Sequence, residues 1–339
     1  MMNRWHYVKR LLPIFAALAI LLAGCGEPDT STLLPQGPVA QQQYDLMKLS
    51  ISIMIGVVLI VFALAIYVLI RFRRRPGQTD IPVQVEGNHK LEILWTVIPI
   101  LLLVVLAIPT VRTTFNLAHD YSKDPEAIKV KVTAHQFWWE FDYPELGIKT
   151  AQDLIIPTGK KIHIELVSTD VLHSFWVPSL GGKMDTNVGE GNINTMYLEA
   201  PNEGVYRGKC AELCGASHAY MDFKVRSVDE QSFDGWVSSM KASVALPADA
   251  DIKEVFTKQC LSCHAVGDQG VQFAPNLTGI GSRETIAGIL ENNKENIKHW
   301  IDKPQEVKPG NLMPEVDLTE EELDGIAEYL SGLKSSIKQ

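Results

Sequence analysis

The sequence predicts a membrane-anchored, multidomain chain: two transmembrane helices, then an all-β domain, then a small all-α domain. Three observations carry this. Three long apolar runs lie within the first 113 residues, two of them long enough to cross a bilayer. Short runs of period-two alternation fill residues 128–230. A change to helical periodicity follows near residue 250.

The chain has 339 residues, enough for two domains and additional segments. Its formal net charge of -9 argues against nucleic acid as a partner. At the N-terminus, Arg4, Lys9 and Arg10 precede an apolar stretch, Leu11 to Ala23, that is too short to cross a bilayer. It ends in Leu22-Ala23-Gly24-Cys25, which resembles a bacterial lipobox. Residues 1–24 are thus expected to be a signal peptide and Cys25 the lipidated residue.

The two-helix hairpin is placed within residues 25–115. Ile51 to Ile70 carries no charge and makes about 30 Å of helix, one hydrocarbon thickness. It stops at "RFRRRP", residues 71–76, whose arginines mark the cytoplasmic side. A second span is expected from about Leu91 to Val111, with Pro99 and Pro109 inside it. Everything after about residue 115 then faces the extracellular or periplasmic side of a bacterial cell membrane.

Residues 116–240 hold "IKVKVTA", "KIHIELVS", "NTMYLEA" and "DFKVRSV", separated by Gly and Pro turn signals, the pattern of a sandwich or barrel. Residues 241–251, a short stretch rich in small residues, read as a linker. As a flexible coil they span about 16 to 19 Å. Residues 252–339 read as helical. "DIKEVFTKQC" and "TIAGILENNKENIKHWID" are each expected to be a helix, and a last helix is expected to open near Asp317–Glu320.

Two motifs carry chemistry. Cys260-Leu-Ser-Cys263-His264 is the C-x-x-C-H attachment of a c-type haem. The two thiols bond the haem vinyls and His264 is an axial ligand. Met313, the one methionine in this domain, is the candidate for the other axial position, where it raises the potential. The second motif is Cys210-x-Glu212-x-Cys214-x-x-x-His218-x-x-Met221. Met is a poor zinc ligand. Thiolates with imidazole and thioether select copper, and a disulfide would leave His218 and Met221 unexplained. Two thiolates can bridge two metals. A second imidazole must come from a nearby loop, with His173 the best candidate.

These residues resemble the CuA site of cytochrome c oxidase subunit II, over residues from about 40 to 235. With the haem domain, which resembles a class I cytochrome c, the chain is similar to the fused subunit II of bacterial caa3-type oxidases. The resemblance implies a cupredoxin-like β-sandwich. It implies Cys210 and Cys214 bridging two coppers, with His173 and Met221 completing one, and His218 and the Glu212 carbonyl the other. It implies magnesium at the Glu212 carboxylate and a proton-pathway entrance at Glu92. It places electron-accepting aromatics at Trp138 and Trp139, although the family's first tryptophan is here Phe137. The implied partners are oxidase subunit I and other oxidase subunits, an upstream donor such as cytochrome c, and the lipid bilayer. The implied function is electron input from haem c through CuA to an oxygen-reducing centre in another subunit. No residue reads as catalytic in this chain, since no span carries the histidines such a centre needs. The small subunit of a nitric oxide reductase and a copper-delivery protein are the alternatives. His6, His89, His119, His135, His163 and His299 receive no role.

Overall fold

The computed structural model describes residues 11–18, 20, 28–79, 81, 83–189 and 191–337. Cys25 and the lipobox residues before it lie outside the described residues.

Helix α1 (Pro38–Arg71) and helix α2 (His89–Leu117) pass the length and apolarity needed to cross a bilayer. At 1.5 Å per residue they are about 51 and about 44 Å long. Pro38 opens α1 at a position where its missing N–H costs nothing. Asn88 caps α2 by accepting from the Lys90 and Leu91 N–H groups. Helix α2 overruns both expected ends of the second span, and Pro99 and Pro109 interrupt neither its course nor its length. In hydrocarbon the backbone has no better partner than itself. The apolar faces of both helices are exposed.

The next domain is two five-stranded sheets. The strands are β1 (Ile128–His135), β2 (Trp138–Tyr143), β3 (Ile148–Ala151), β4 (Asp153–Pro157), β5 (Ile162–Ser168), β6 (His173–Trp176), β7 (Met184–Thr186), β8 (Asn194–Leu198), β9 (Gly204–Cys210) and β10 (Asp222–Val228). One sheet runs β3-β2-β1-β5-β8 and the other β4-β10-β9-β6-β7. The pairs β1–β5 and β4–β10 are parallel and the others antiparallel. Alternation sends Val130, Val132 and Ala134 of β1 and Trp139, Phe141 and Tyr143 of β2 inward. Each of these large side chains contributes about 1.5–3 kcal/mol by leaving water. Phe175 and Phe223 stack at 4.6 Å between the sheets, with Trp139 against both. Gly37 seats this domain on α1. A Cβ there would lie 2.7 Å from the Glu199 carbonyl oxygen, and the neighbouring Ala40 N–H donates to the Leu180 carbonyl at 3.1 Å.

Helix α3 (Glu230–Lys241) closes the domain by burying Phe233 and Trp236. The haem-motif domain then comprises α4 (Ala250–Val255), a wide turn at Phe256–Cys260, hairpins β11 (Ala265–Val266)/β12 (Gln269–Gly270) and β13 (Thr285–Ile286)/β14 (Leu290–Glu291), α5 (Lys294–Asp302), α6 (Pro304–Val307) and α7 (Glu320–Gly332). Thr319 and Glu322 form a reciprocal capping box at α7.

Two expectations are corrected. "TIAGILENNKENIKHWID" is not one helix: its first half is the β13/β14 hairpin and only its second half is α5. Ala287 and Gly288 take positive φ (52° and 85°), which ends any helix there. Asn293 then caps α5 by accepting from the Asn296 N–H. The linker is not a free coil. Val244 and Leu246 pack on the core of the haem-motif domain. Gln269 Nε2 donates to the Val244 carbonyl at 3.0 Å, and the Tyr329 hydroxyl to that of Ala245 at 3.1 Å.

The two domains also meet through buried polar contacts. Arg226 of β10, 5% exposed, donates to the Ser282 carbonyl at 3.0 Å and pairs with Glu284 at 3.3 Å. The Glu284 N–H donates to Asp153 Oδ2 at 3.0 Å. Ser217 Oγ donates to the Pro309 carbonyl at 2.7 Å.

Candidate metal centre

The ends of β6 and β9 and the loop after β9 bring the sulfur and nitrogen groups of the second motif together. His173 opens β6 and Cys210 ends β9, and Phe175 pairs with Cys210 across these strands. Cys210 Sγ lies 3.8 Å from His173 Nδ1, 3.2 Å from the Glu212 carbonyl oxygen and 3.8 Å from Cys214 Sγ. Cys214 Sγ lies 3.6 Å from His218 Nδ1 and 3.8 Å from Met221 Sδ. All six groups named from the sequence therefore converge.

The spacing of the sulfurs fits a shared metal. A disulfide needs about 2.05 Å. Two thiolates bound tetrahedrally to one metal at about 2.3 Å each are separated by about 3.8 Å. The two thiols hold their protons unequally. Cys210 is held well below the ordinary thiol range, first by the hydrogen bond from Cys214 and then by His173 and backbone N–H groups, against its burial. Cys214 is pushed far up by its bond to Cys210, by burial and by the neighbouring thiolate. A bound cation would take the place of both protons.

Surrounding groups orient the ligands. His173 Nε2 meets Asp170 Oδ1 at 2.8 Å, leaving Nδ1 toward the sulfurs. Burial would lower the His173 pKa, but the hydrogen bond to Asp170 and the Cys210 thiolate outweigh it and hold it above the ordinary value. The Trp139 indole N–H donates to the Met221 carbonyl at 3.3 Å, and its ring meets the His173 ring at 6.1 Å. Trp139 is fully buried beneath the site.

The C-x-x-C-H motif borders a cavity of about 610 Å³, within the size range of cofactor pockets. Cys263, His264 and Met313 line it from one domain, and His135, Gln136 and Trp138 from the other. His264 Nδ1 donates to the Pro275 carbonyl at 2.7 Å, which frees Nε2 for a metal. Burial lowers the His264 pKa and so favours the neutral ligand form. Burial also raises the Cys260 thiol to about 12. These residues fit a covalently held haem.

The sequence motifs do not single out four neighbours of these sites. His135 stacks on Trp138 at 4.1 Å, and burial pushes its pKa down to about 4, so it presents a neutral ring. Asp170 orients His173. Gln136 joins the two sites. Lys308, 3% exposed, borders the cavity and donates to the Ala287 carbonyl at 2.6 Å. Burial lowers its pKa to about 7. A polar residue next to an aromatic patch was the available signal for Gln136; nothing in the sequence marks the others. The remaining expected residue, Glu92, is far along the chain from these sites. It lies in the first turn of α2, at the arginine end of the hairpin, with Oε2 3.2 Å from His89 Nδ1.

Comparison with known families matches three successive segments. Residues 34–113 match the transmembrane domain of cytochrome c oxidase subunit II and residues 146–228 its periplasmic domain. Residues 250–334 match cytochrome c. Cytochrome c oxidase subunit 2 of Alkalihalophilus pseudofirmus is 48% identical, over 98% of this chain and 99% of the relative. The protein of the same name from Bacillus sp. strain PS3 is 50% identical over 98% and 99%. Among solved structures, the periplasmic domain of subunit II of cytochrome oxidase from Bradyrhizobium japonicum is 29% identical, covers 34% of this chain and 93% of that one, and has a TM-score of 0.32.

Proposed function

This chain belongs to the cytochrome c oxidase subunit II family, and from that premise we propose that it feeds electrons into the oxidase through two centres of its own. Electrons pass from an upstream donor such as cytochrome c to haem c, then to CuA, then to the oxygen-reducing centre of subunit I. The observation that carries this reading is the shared wall. The cavity bordered by His264 and Met313 is closed by residues 135–138 of the domain that holds Cys210 and Cys214.

When bound, the copper pair and the haem each supply a one-electron couple. Cys210 and Cys214 would hold both coppers between them. His173 and Met221 would complete one, and His218 and the Glu212 carbonyl the other. Asp170 fixes the His173 ring and Trp139 fixes the backbone at Met221. Each contact is anchored at one end on a packed strand, His173 on β6 and Trp139 on β2, so the ligands shift little as charge changes. Cys260 and Cys263 would carry the haem covalently, with His264 and Met313 as axial ligands. The Glu212 carboxylate would meet magnesium at the contact with subunit I, and Glu92 would mark the entrance of a proton pathway. Trp138 would form part of the cavity wall beside the haem, and Trp139 would support the copper ligands.

The arginines between the spans put that end of the hairpin in the cytoplasm, so both metal-bearing domains face outside, anchored through α1 and α2 in the cell membrane. Lipidation at Cys25 would add a further anchor.

The test is the purified complex containing this chain. It is expected to consume oxygen with reduced cytochrome c, and to show a mixed-valence dinuclear copper EPR signal with a low-spin c-type haem. Consumption of nitric oxide in place of oxygen would replace this reading with that of a nitric oxide reductase. Ready loss of the copper to a chelator would replace it with copper delivery.

A further inference from the structure

Gln136 stands between the two sites and is a ligand of neither. It lies in the turn joining β1 to β2, and it borders the haem cavity together with its neighbours His135, Phe137 and Trp138. Its side-chain Nε2 donates to the carbonyl of Cys214 at 2.5 Å. Its main-chain N–H donates to Asp170 Oδ2 at 2.6 Å, and the other oxygen of that carboxylate meets His173 Nε2 at 2.8 Å. One residue thus faces the haem cavity and is tied to two copper ligands, to one directly and to the other through a single carboxylate.

We propose that the Gln136 side chain is the bridge by which electrons cross from haem c to the copper centre. The step is a one-electron transfer: the electron leaves the ferrous haem and enters the oxidised copper pair. No bond forms or breaks and no proton moves. The physical reason is continuity. Electronic coupling decays less along covalent and hydrogen bonds than across van der Waals gaps. The path through Gln136 reaches the main chain of a bridging cysteine with a single short hydrogen bond. Phe137 and Trp138, the aromatics of this turn that border the cavity, offer no such path. Phe137 lies where a Cβ added at Gly215 or at Gly310 would meet its ring, at 3.0 and 3.6 Å, but its side chain has no polar atom. Trp138 stacks on His135, and among the described residues no hydrogen bond from its indole to a copper ligand is present.

This inference rests on the haem-to-copper direction proposed above, and one experiment separates the two. Haem c is photoreduced in the complete oxidase, and the copper absorption is followed in single turnover. The variants are Gln136→Met and Trp138→Leu. Gln136→Met keeps the length of the side chain and the main-chain bond to Asp170, and removes only the amide. Reduction potentials of both centres and the copper EPR pattern are measured alongside, so that rates are compared at matched driving force. The expected result is an intact copper signal and unchanged haem potential in Gln136→Met, with transfer slowed several-fold, and a rate close to wild type in Trp138→Leu. Wild-type transfer in Gln136→Met, or slowing confined to Trp138→Leu, overturns the bridge. Should Gln136→Met fail to bind copper, Gln136→Asn, which keeps the amide but falls short of the Cys214 carbonyl, is read by the same criteria. Absence of first-order haem-to-copper transfer in the wild type would instead remove the electron-input reading itself.

Discussion

Replacing Arg226 by alanine should loosen the haem-bearing domain from the copper-binding domain without touching either set of ligands. The Arg226 guanidinium comes from β10 and is nearly enclosed. It holds the Ser282 carbonyl and the Glu284 carboxylate of the other domain. Its loss leaves Glu284 and the buried Asp153 with one cationic neighbour fewer. Breaking a buried ion pair from one side costs about 3–5 kcal/mol. Glu284 remains partly in contact with water, so the lower end applies, about 3 kcal/mol, or roughly a hundredfold in the docking equilibrium. The linker still confines the freed domain, so haem-to-copper transfer remains first order. Its rate should fall, and it should become sensitive to salt as docking comes to depend on screened surface charge. Amide hydrogen exchange at Ser282 and Glu284 should accelerate in parallel. An unchanged transfer rate with unchanged exchange at these two amides would refute the claim that this contact holds the domains together.

Three further outcomes follow from the same geometry. Cys214→Ser removes one bridging thiolate. Metal analysis should then show lost copper while the haem stays attached at Cys260 and Cys263, and a surviving dinuclear EPR signal would reject the ligand set. Met313→Ala should leave the haem covalently bound but shift it toward high spin and lower its potential; persistence of the sulfur-to-iron charge-transfer band would reassign that ligand. Burial raises the Asp153 pKa to about 6, against the Glu284 amide and the two arginines nearby, from 3.8. Between these values the folded protein holds a proton that the unfolded chain has released, so stability falls as pH rises through this window and is flat above it. The loss amounts to about 3 kcal/mol, and Asp153→Asn should flatten the melting temperature between about pH 4 and 6; an unaltered slope would place the titration elsewhere.

The residues of the proposed copper site were legible because metal chemistry restricts both residue type and spacing. Cys210, Cys214, His218 and Met221 lie close along the chain, and His173 could be sought as the missing imidazole. The membrane spans were legible because a bilayer demands long apolar runs. The strands IKVKVTA and DFKVRSV showed their alternation, whereas HSFW and GVYRGKC did not, because three of the four β6 residues are buried and the inward positions of β9 are Tyr206, Gly208 and Cys210 rather than a run of large apolar side chains. The β13/β14 hairpin escaped notice because the turn at Ala287-Gly288 sits inside an apolar pattern compatible with a helix. Least legible was the union of the domains. Residues 242–249 have the composition of a flexible tether, yet Val244 and Leu246 are drawn onto the haem-motif core. Arg226, Asp153 and Glu284 acquire meaning only once folding brings them within bonding distance.

The central claim, that haem c donates to CuA within one chain, is tested most directly by photoreducing haem c in the purified oxidase and following copper reduction over a range of protein concentrations. The account predicts a single first-order phase whose rate is independent of dilution, with copper gaining the electron that the haem loses. A rate that falls in proportion to dilution would mean that the attached haem serves a neighbouring complex, and would contradict it.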